Sequence, residues 1–153
     1  MKMSEHQGSQ ANRNGRHLEN VIVPILKSAG YKEIESETKI FFEMDKWYIK
    51  QYLVGKTLYG TNHKIDYYLY NKIKYPNKLL IEAKWQADGG SVDEKYPYLV
   101  LTLKQYPAKS VIIIDGGGYK PLALLWLKNQ RDEKLIGVFS ISEFMNWVNN
   151  GGL

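Results

Sequence analysis

The chain has 153 residues, of which 44% are hydrophobic, and this length supports one compact core but not two. It contains no cysteine, which excludes a disulfide framework and a zinc–thiolate site and suits a reducing compartment. The net charge of +5 favours polyanionic partners, although solvated surface lysines would account for it equally well. No apolar run has the form of a signal peptide or a membrane span, so we expect a soluble cytoplasmic protein with no membrane partner.

The N-terminal part of the chain divides into two segments. Residues 1–14 are rich in Ser, Gln, Asn and Gly without apolar periodicity, so we predict a disordered arm, followed by a single domain over residues 15–153. Apolar residues at helical spacing predict a helix over residues 15–29 that ends at Gly30, with Pro24 expected to kink it or force a local adjustment. The apolar positions are Leu18, Val21, Ile22, Ile25 and Leu26.

The next part of the chain predicts an antiparallel meander. Residues 40–42 and 47–49 are rich in aromatic and β-branched residues and suggest a hairpin that turns near residues 44–46. A loop at 58–62 then leads to a strand at 64–70. Pro76 and Asn77 predict the turn into a further strand over residues 77–86.

The C-terminal part alternates between helices and strands. Ser91 and Glu94 have capping-box spacing, which predicts a helix that starts there and runs through Gln105. Because Pro97 follows, the helix could instead start at Tyr96. The remaining predictions are a buried strand at 110–114, a helix at 121–129 with Leu122, Leu125 and Trp126 on one face, a strand at 135–139 and a last helix capped by Ser140 or Ser142. Together these elements predict an α/β fold with a mixed central sheet flanked by helices.

The strand at residues 77–86 carries a polar face. Side chains alternate along a strand, so Glu82, Lys84 and Gln86 point one way, and the apolar residues between them point the other way. Burying a carboxylate and an ammonium group costs several kcal/mol per ion unless they are compensated. A divalent cation and a phosphate would compensate them.

Asp66 lies on the preceding predicted strand, and hairpin pairing can bring its carboxylate close to that of Glu82. Magnesium usually takes one or two carboxylates plus waters and substrate phosphate, and the carbonyl of Ala83 is a further candidate ligand. Such a cation would stabilise charge on the phosphate and activate a water. Lys84 would orient or help to deprotonate that water, or stabilise the transition state.

A structural interpretation competes with this chemical one. Asp66 would then be a turn residue at a strand end, and Glu82 with Lys84 would form part of an ordinary polar sheet face, since such triplets arise often by chance. The chemical interpretation gains from context. The triplet ends an apolar strand, follows an acid on the preceding strand and precedes a glycine-rich loop.

The segments Lys64-Ile65-Asp66 and Leu80-Ile81-Glu82-Ala83-Lys84 resemble the bipartite motif of the PD-(D/E)XK nuclease superfamily. Ile65 stands where the motif has its proline. The resemblance implies a restriction-endonuclease-like αβββαβ core and a glutamate on the first helix near the site, for which Glu19 is the candidate. Gln86 extends the signature to Glu-x-Lys-x-Gln, as in several branches of the superfamily; a plain sheet-edge amide is the alternative.

The resemblance also implies a function. We expect a DNA endonuclease that depends on Mg²⁺, with Mn²⁺ able to substitute, and that acts on duplex DNA as a homodimer of the type II restriction endonuclease kind. Asp66 and Glu82 would be metal ligands together with Ala83 and Glu19, and Lys84 would be the catalytic lysine. The alternatives are a structure-selective nuclease, such as a junction resolvase or repair enzyme, and a non-catalytic DNA-binding recombination accessory protein.

Two glycine-rich segments and one histidine complete the set of candidates. The segment at 89–95 makes Ser91 and Lys95 candidate DNA contacts, whereas Asp93 and Glu94 are expected to cap the following helix. The segment at 115–120 lacks nucleotide-binding spacing, although Lys120 could reach a DNA phosphate. His63 has no partner at metal-ligand spacing and is expected to be a solvated loop residue.

Overall fold

The fold is taken from a computed structural model, which describes residues 4–37, 43–87 and 93–153, with side chains from residue 13 onward. Within these ranges the helices and strands are α1 Ser4–Ser28, β1 Lys32–Glu33, β2 Lys46–Lys56, β3 Asn62–Asn71, β4 Tyr75–Trp85, α2 Tyr96–Lys104, β5 Lys109–Asp115, α3 Pro121–Asn129, β6 Leu135–Phe139 and α4 Ile141–Asn149. A short 3₁₀ turn, Asp93–Lys95, precedes α2. In these described ranges no helix is both long enough and apolar enough to cross a membrane.

The strands form one mixed sheet in the order β1-β2-β3-β4-β5-β6. Strands β2, β3 and β4 form an antiparallel meander, whereas β5 runs parallel to both β4 and β6, and β1 runs parallel to β2. The change from antiparallel to parallel pairing occurs at β4, where the connections change from turns to helical crossovers. The predicted α/β fold with a mixed central sheet flanked by helices is confirmed.

The helices cover both faces of the sheet. Leu18, Ile22 and Leu26 of α1 and Phe144 of α4 pack on one face. Helices α2 and α3 cover the other face, with Leu103 and Leu127 among the fully buried side chains. Burial of both faces explains why β5 is a continuous β-branched run, since its side chains alternate between the two cores.

Helix α1 begins earlier than predicted. It starts at Ser4, whereas the apolar pattern placed its start at residue 15, and Pro24 lies inside the helix without ending it. A helix already nucleated by its packed half extends at little cost through polar residues, which have no periodicity of their own. The division into an arm over residues 1–14 and one domain over 15–153 stays a prediction.

Two predictions about turns need correction. The turn between β3 and β4 lies at residues 72–74, and Pro76 belongs to β4. Asn71 makes this turn, because its side chain accepts hydrogen bonds from the backbone N–H groups of Ile73 and Lys74. The strand predicted at 40–42 lies outside the described residues, and the antiparallel partner of β2 is β3.

The predicted bounds of α3 are confirmed, but its apolar stripe points to solvent. Leu122, Leu125 and Trp126 are 80%, 55% and 40% exposed. Leu127 is fully buried instead, with Ala123 and Leu124 packed beside it. Helical spacing shows which residues share a face, but not which of two apolar faces meets the sheet.

Candidate active site

The candidate site lies where β3 and β4 separate. Their pairing ends at the rung that joins Tyr67 to Ile81. Beyond it, β3 stays paired with β2 as far as Asn62, and β4 stays paired with β5 as far as Trp85. Asp66 and Glu82 are therefore the first residues past the last rung of a fork between the two strands.

Both carboxylates bridge the fork. Asp66 Oδ2 accepts a hydrogen bond of 2.8 Å from the backbone N–H of Ala83. Glu82 Oε2 accepts a longer one, 3.4 Å, from the backbone N–H of Asp66. The acids thus satisfy backbone donors that the end of the ladder leaves unpaired, and each is held beside the opposite strand.

Glu82 and Lys84 form an ion pair on the same face of β4. Lys84 Nζ lies 2.7 Å from Glu82 Oε1, and the two side chains are 39% and 6% exposed, respectively. Burial raises the pKa of Glu82 above its ordinary value, and the nearby Asp66 charge adds to this although Lys84 opposes it. Burial would lower the pKa of Lys84, but attraction to the Glu82 carboxylate outweighs it and holds that pKa above its ordinary value. Lys84 is therefore an ammonium ion at neutral pH.

Two cavities open on either side of the β4 backbone at this fork. The first, the α1 cleft, has a volume of about 450 Å³, and its lining includes Arg16, Glu19, Lys50, Gln51, Asp66 and Ala83. The second, the α2 pocket, has a volume of about 330 Å³, and its lining includes Thr57, His63, Glu82, Lys84, Lys95 and Tyr98. Asp66 and Glu82 are adjacent at the fork but line different cavities.

The expectation that hairpin pairing brings the two carboxylates close to one cation stays a prediction, because the acids meet at the fork but face different cavities. Gln51, on β2, has a left-handed backbone with φ of 51°, and its side-chain amide donates to Asp66 Oδ1 at 3.0 Å. Along β3, Ile65 packs on the α2 side, whereas both Asp66 and Tyr67 line the α1 cleft. The alternation of the strand is interrupted at Asp66, which turns its side chain toward α1.

Glu19 reaches the same cleft as Asp66, as the resemblance implied. Its carboxylate pairs with Lys50 Nζ at 2.5 Å, and Lys50 also pairs with Glu33 at 3.2 Å. The hydrogen bond to Glu19 raises the pKa of Lys50. The role of Glu19 as an auxiliary acid stays a prediction, because Lys50 neutralises it in this arrangement.

Gln86 is 3% exposed, and both the nitrogen and the oxygen of its side-chain amide are hydrogen-bonded inside the protein. Its Nε2 donates to the carbonyl of Gly118 at 3.2 Å, and its Oε1 accepts from the hydroxyl of Tyr96 at 3.2 Å. The loop after β5 also wraps the Gln86 backbone through bonds from Gln86 N to Asp115 O and from Gly118 N to Gln86 O. These contacts favour the structural alternative for Gln86, and its catalytic role stays a prediction.

The candidate DNA contacts fall in different places. Ser91 lies outside the described residues. Lys95 is exposed at the α2 pocket, and Lys120 is exposed at the start of α3. Their contacts with DNA stay predictions.

The expected capping by Asp93 and Glu94 is wrong for the part of the chain that the structure describes. The residue before α2 is Lys95, with no side-chain cap, and Asp93 accepts from the backbone N–H of Lys120 instead. The intervening 3₁₀ turn delays the start of the helix to Tyr96.

His63 is a strand residue and not a solvated loop residue, because it belongs to β3 and lines the α2 pocket. Its Nδ1 lies 2.9 Å from the hydroxyl of Tyr106, which itself donates to the carbonyl of Lys56 at 2.7 Å. Since a tyrosine hydroxyl has one proton, His63 Nδ1–H must be the donor to Tyr106. Burial lowers the pKa of His63, with the charge of Lys84 contributing.

The sequence reasoning missed Lys50 and Gln51 in the α1 cleft. Lys50 follows three consecutive buried residues of β2 and precedes the exposed Gln51, so simple alternation along the strand does not single it out. The left-handed backbone of Gln51 has no signal in the sequence, because non-glycine residues adopt it rarely.

The donor chemistry of the fork fits a hard divalent cation. Carboxylate oxygens from Asp66 and Glu82 are available, and one or two carboxylates with waters are the usual Mg²⁺ ligands. Among the residues that the structure describes, no three His, Asp or Glu side chains are grouped closely enough to hold a metal. A cation here would therefore bind one or two carboxylates of the fork, and its other ligands would be oxygens of water, of a backbone carbonyl or of a phosphate.

Comparison with known proteins supplies the classification. A family model described as a PD-(D/E)XK nuclease superfamily domain matches residues 10–152, nearly the whole chain. The chain belongs to the PD-(D/E)XK nuclease superfamily. Members of this superfamily generally use divalent metal ions. Searches of curated proteins and of solved structures give no match.

Proposed function

We propose that this protein is a magnesium-dependent endonuclease that hydrolyses phosphodiester bonds in DNA. The observation that supports the proposal is the fork between β3 and β4, where Asp66 stands beside the Glu82–Lys84 ion pair. Two acids and a lysine at such a break in a sheet match the chemistry of phosphodiester hydrolysis, which needs a bound cation and a fixed positive charge.

In this proposal Asp66 and Glu82 hold the cation with the Ala83 carbonyl, and Glu19 becomes a further ligand only when it releases Lys50. Mg²⁺ is the proposed ion, Mn²⁺ can replace it, and either supplies positive charge that stabilises the phosphate as the bond breaks. For both carboxylates to reach one ion, Glu82 has to leave the Asp66 N–H. That contact, at 3.4 Å, is longer than a normal hydrogen bond and is the weakest at the fork.

Lys84 has the role of a fixed cation. Its raised pKa keeps the ammonium group charged, so we propose that it holds the scissile phosphate and stabilises the transition state, and that it does not take up a proton. Because its side chain is 39% exposed and lines the α2 pocket, we propose that the phosphate approaches Lys84 from that side.

Two substrate classes follow from the sequence. A type II restriction endonuclease would cut both strands of a duplex as a homodimer, since one site cuts one strand. A structure-selective nuclease would read an interrupted duplex. One observation favours the second class: Tyr59, a residue that is 82% exposed, has its ring against Tyr98 of the α2 pocket, and exposed aromatic rings stack on unpaired bases.

The test compares Lys84→Ala with the wild-type protein on supercoiled, linear, single-stranded and branched DNA, with Mg²⁺, Mn²⁺ or EDTA. We expect metal-dependent cutting by the wild type, a loss of about 100-fold or more in the variant, and DNA binding in EDTA that is largely kept. Lys128→Ala is the matched control, because Lys128 pairs with Glu143 at 3.0 Å away from the fork. Equal cutting by Lys84→Ala, or absence of cutting by the wild type with either metal, would contradict the proposal.

A further inference from the structure

We propose that the α2 pocket, with the aromatic pair Tyr59 and Tyr98 at its rim, binds an unpaired nucleotide of the DNA next to the phosphate that is cut. This inference rests on the proposed function and specifies its substrate as DNA that contains unpaired nucleotides. It follows from the pocket, the aromatic rim, the rigidity of the hairpin and the charges around them.

The pocket has the dimensions and chemistry of a small-ligand site. Its volume of about 330 Å³ lies at the lower end of the range for ligand pockets, as a single nucleotide requires. Its lining combines Leu99 and the rings of Tyr96 and Tyr98 with polar and charged side chains, which include the Glu82–Lys84 pair. A nucleotide in this pocket would therefore have its phosphate beside Lys84.

The rim carries an aromatic ring that the fold does not need. Tyr59 lies at the tip of the β2–β3 hairpin, and its ring centroid is 5.0 Å from that of Tyr98 on α2. One face of the Tyr59 ring packs against Tyr98, yet the residue is 82% exposed, so most of it meets water. An aromatic ring held from one side and open on the other provides a surface on which a base can stack.

The hairpin tip is ordered by its own hydrogen bonds. Thr57 and Thr61 join through a backbone bond of 2.8 Å and through their hydroxyls at 2.7 Å, and Gly60 N donates to Thr57 O at 3.0 Å. Lys56, at the base of the tip, accepts a bond from the hydroxyl of Tyr106 through its carbonyl. Tyr59 is thus held near its position before a ligand binds, which reduces the entropy lost on binding.

Positive charge surrounds this surface. Lys84 and the exposed Lys95 both line the pocket. Lys56 lies on the hairpin with its ammonium group 2.6 Å from Asn62 Oδ1. Single-stranded DNA is bound by lysines placed along its phosphate backbone, together with an aromatic ring on which a base can stack.

An unpaired base fits this arrangement better than a paired one. In a duplex both faces of each base are covered by its neighbours, so the open face of Tyr59 has nothing to stack on. At a flap, a gap or a junction, a base face is free, and the following phosphate can reach Lys84. The site would therefore select DNA by local structure and not by base sequence.

The test measures binding of fluorescent oligothymidine and of a blunt duplex by anisotropy, in EDTA so that cutting cannot interfere. We expect Tyr59→Ala to weaken oligothymidine binding by about 10-fold and duplex binding much less, whereas Tyr59→Phe keeps the ring and binds like wild type. Ile73→Ala is the control, because Ile73 is 88% exposed at the opposite end of β3 and should change neither affinity. Since Tyr59 is exposed, its removal should leave the melting temperature within a few degrees of the wild type, which circular dichroism checks.

Two results would overturn the inference: an unchanged affinity of Tyr59→Ala for oligothymidine, or an equal loss for single-stranded and duplex DNA. The outcome is separable from that of the nuclease proposal. A wild type that cuts DNA while Tyr59→Ala binds oligothymidine normally refutes the subsite alone. A wild type that never cuts, while Tyr59→Ala selectively loses oligothymidine, refutes the nuclease activity and leaves the subsite supported.

Discussion

Gly116 lies in the loop that wraps the backbone of Gln86, and Gln86 is two residues after Lys84. A Gly116→Ala substitution should destabilise the protein strongly. A Cβ atom on Gly116 would lie 2.5 Å from Gln86 O and 2.9 Å from Gln86 N. Both distances are below the van der Waals limit, and both atoms belong to a backbone that is held on each side. The neighbouring Gly117 provides the control, because no atom lies within 4 Å of its added Cβ.

The magnitude follows from two contributions. Gly116 and Gly117 both have positive φ angles, 107° and 76°, and an alanine in such a conformation costs about 1–2 kcal/mol. At Gly116 the Gln86 backbone must also move, which disrupts its bonds of 2.8 Å to Asp115 and 2.6 Å to Gly118. At about 1 kcal/mol for each bond, Gly116→Ala should cost about 3–4 kcal/mol and Gly117→Ala about 1–2 kcal/mol.

Urea unfolding followed by tryptophan fluorescence measures both variants. We expect the unfolding midpoint of Gly116→Ala to lie well below that of Gly117→Ala, with the same dependence of free energy on urea for both. Equal destabilisation of the two variants would refute the close contact with Gln86. Cutting by Gly116→Ala should also fall at temperatures where the variant is still folded, since the displaced Gln86 backbone continues directly into the strand that carries Lys84.

Three further predictions concern single side chains. Hydrogen bonds from Lys104 and from the backbone N–H groups of Leu135 and Lys134 lower the pKa of Asp132 to about 2. The ionised carboxylate therefore stabilises the folded protein fully above pH 4, and this stabilisation disappears as the pH falls through 2. Asp132→Asn should cost about 1 kcal/mol at pH 7, after discounting for a side chain that is 43% exposed, and clearly less at pH 2, as urea titrations at the two pH values would show. Burial raises the pKa of Glu82, so the stability of the wild type falls as the pH rises through that pKa. In EDTA, the melting temperature of Glu82→Gln relative to that of the wild type should therefore increase from pH 4 to pH 8. A difference that stays constant with pH would contradict this. Ser140→Ala removes the cap of α4 and should cost about 1 kcal/mol in urea unfolding.

Local patterns in the sequence sufficed to predict most of the sheet. The continuous apolar run of β5 indicated a strand buried on both faces, and the bounds of α3 follow from a proline at its start and its helical spacing. The turn at Pro76 was wrong because proline usually ends a strand. Here the parallel partner of β4 begins only opposite Leu79, so the missing N–H of Pro76 interrupts no rung with β5.

Part of the candidate site was predictable in its residues, but its geometry was not. Alternation along a strand correctly placed Glu82 and Lys84 on one face, and the motif correctly identified Asp66 as their neighbour. The orientation of Asp66 depends on where the β3–β4 ladder ends and on the left-handed backbone of Gln51 across from it. Both are consequences of the whole sheet, which no local pattern contains.

The end of the ladder also explains why the acids can occupy the middle of a sheet. A continued ladder would satisfy the N–H groups of Asp66 and Ala83 with backbone carbonyls, and the carboxylates would be buried without these donors. Where the strands separate, each carboxylate instead takes an N–H of the other strand, and Lys84 neutralises Glu82. Under the proposed function these contacts would be exchanged, because a cation would replace Lys84 as the counter-charge of Glu82 and a phosphate would replace Glu82 as the partner of Lys84. The protein alone would then resemble the proposed substrate complex in its charge balance, which keeps the cost of assembling that complex low.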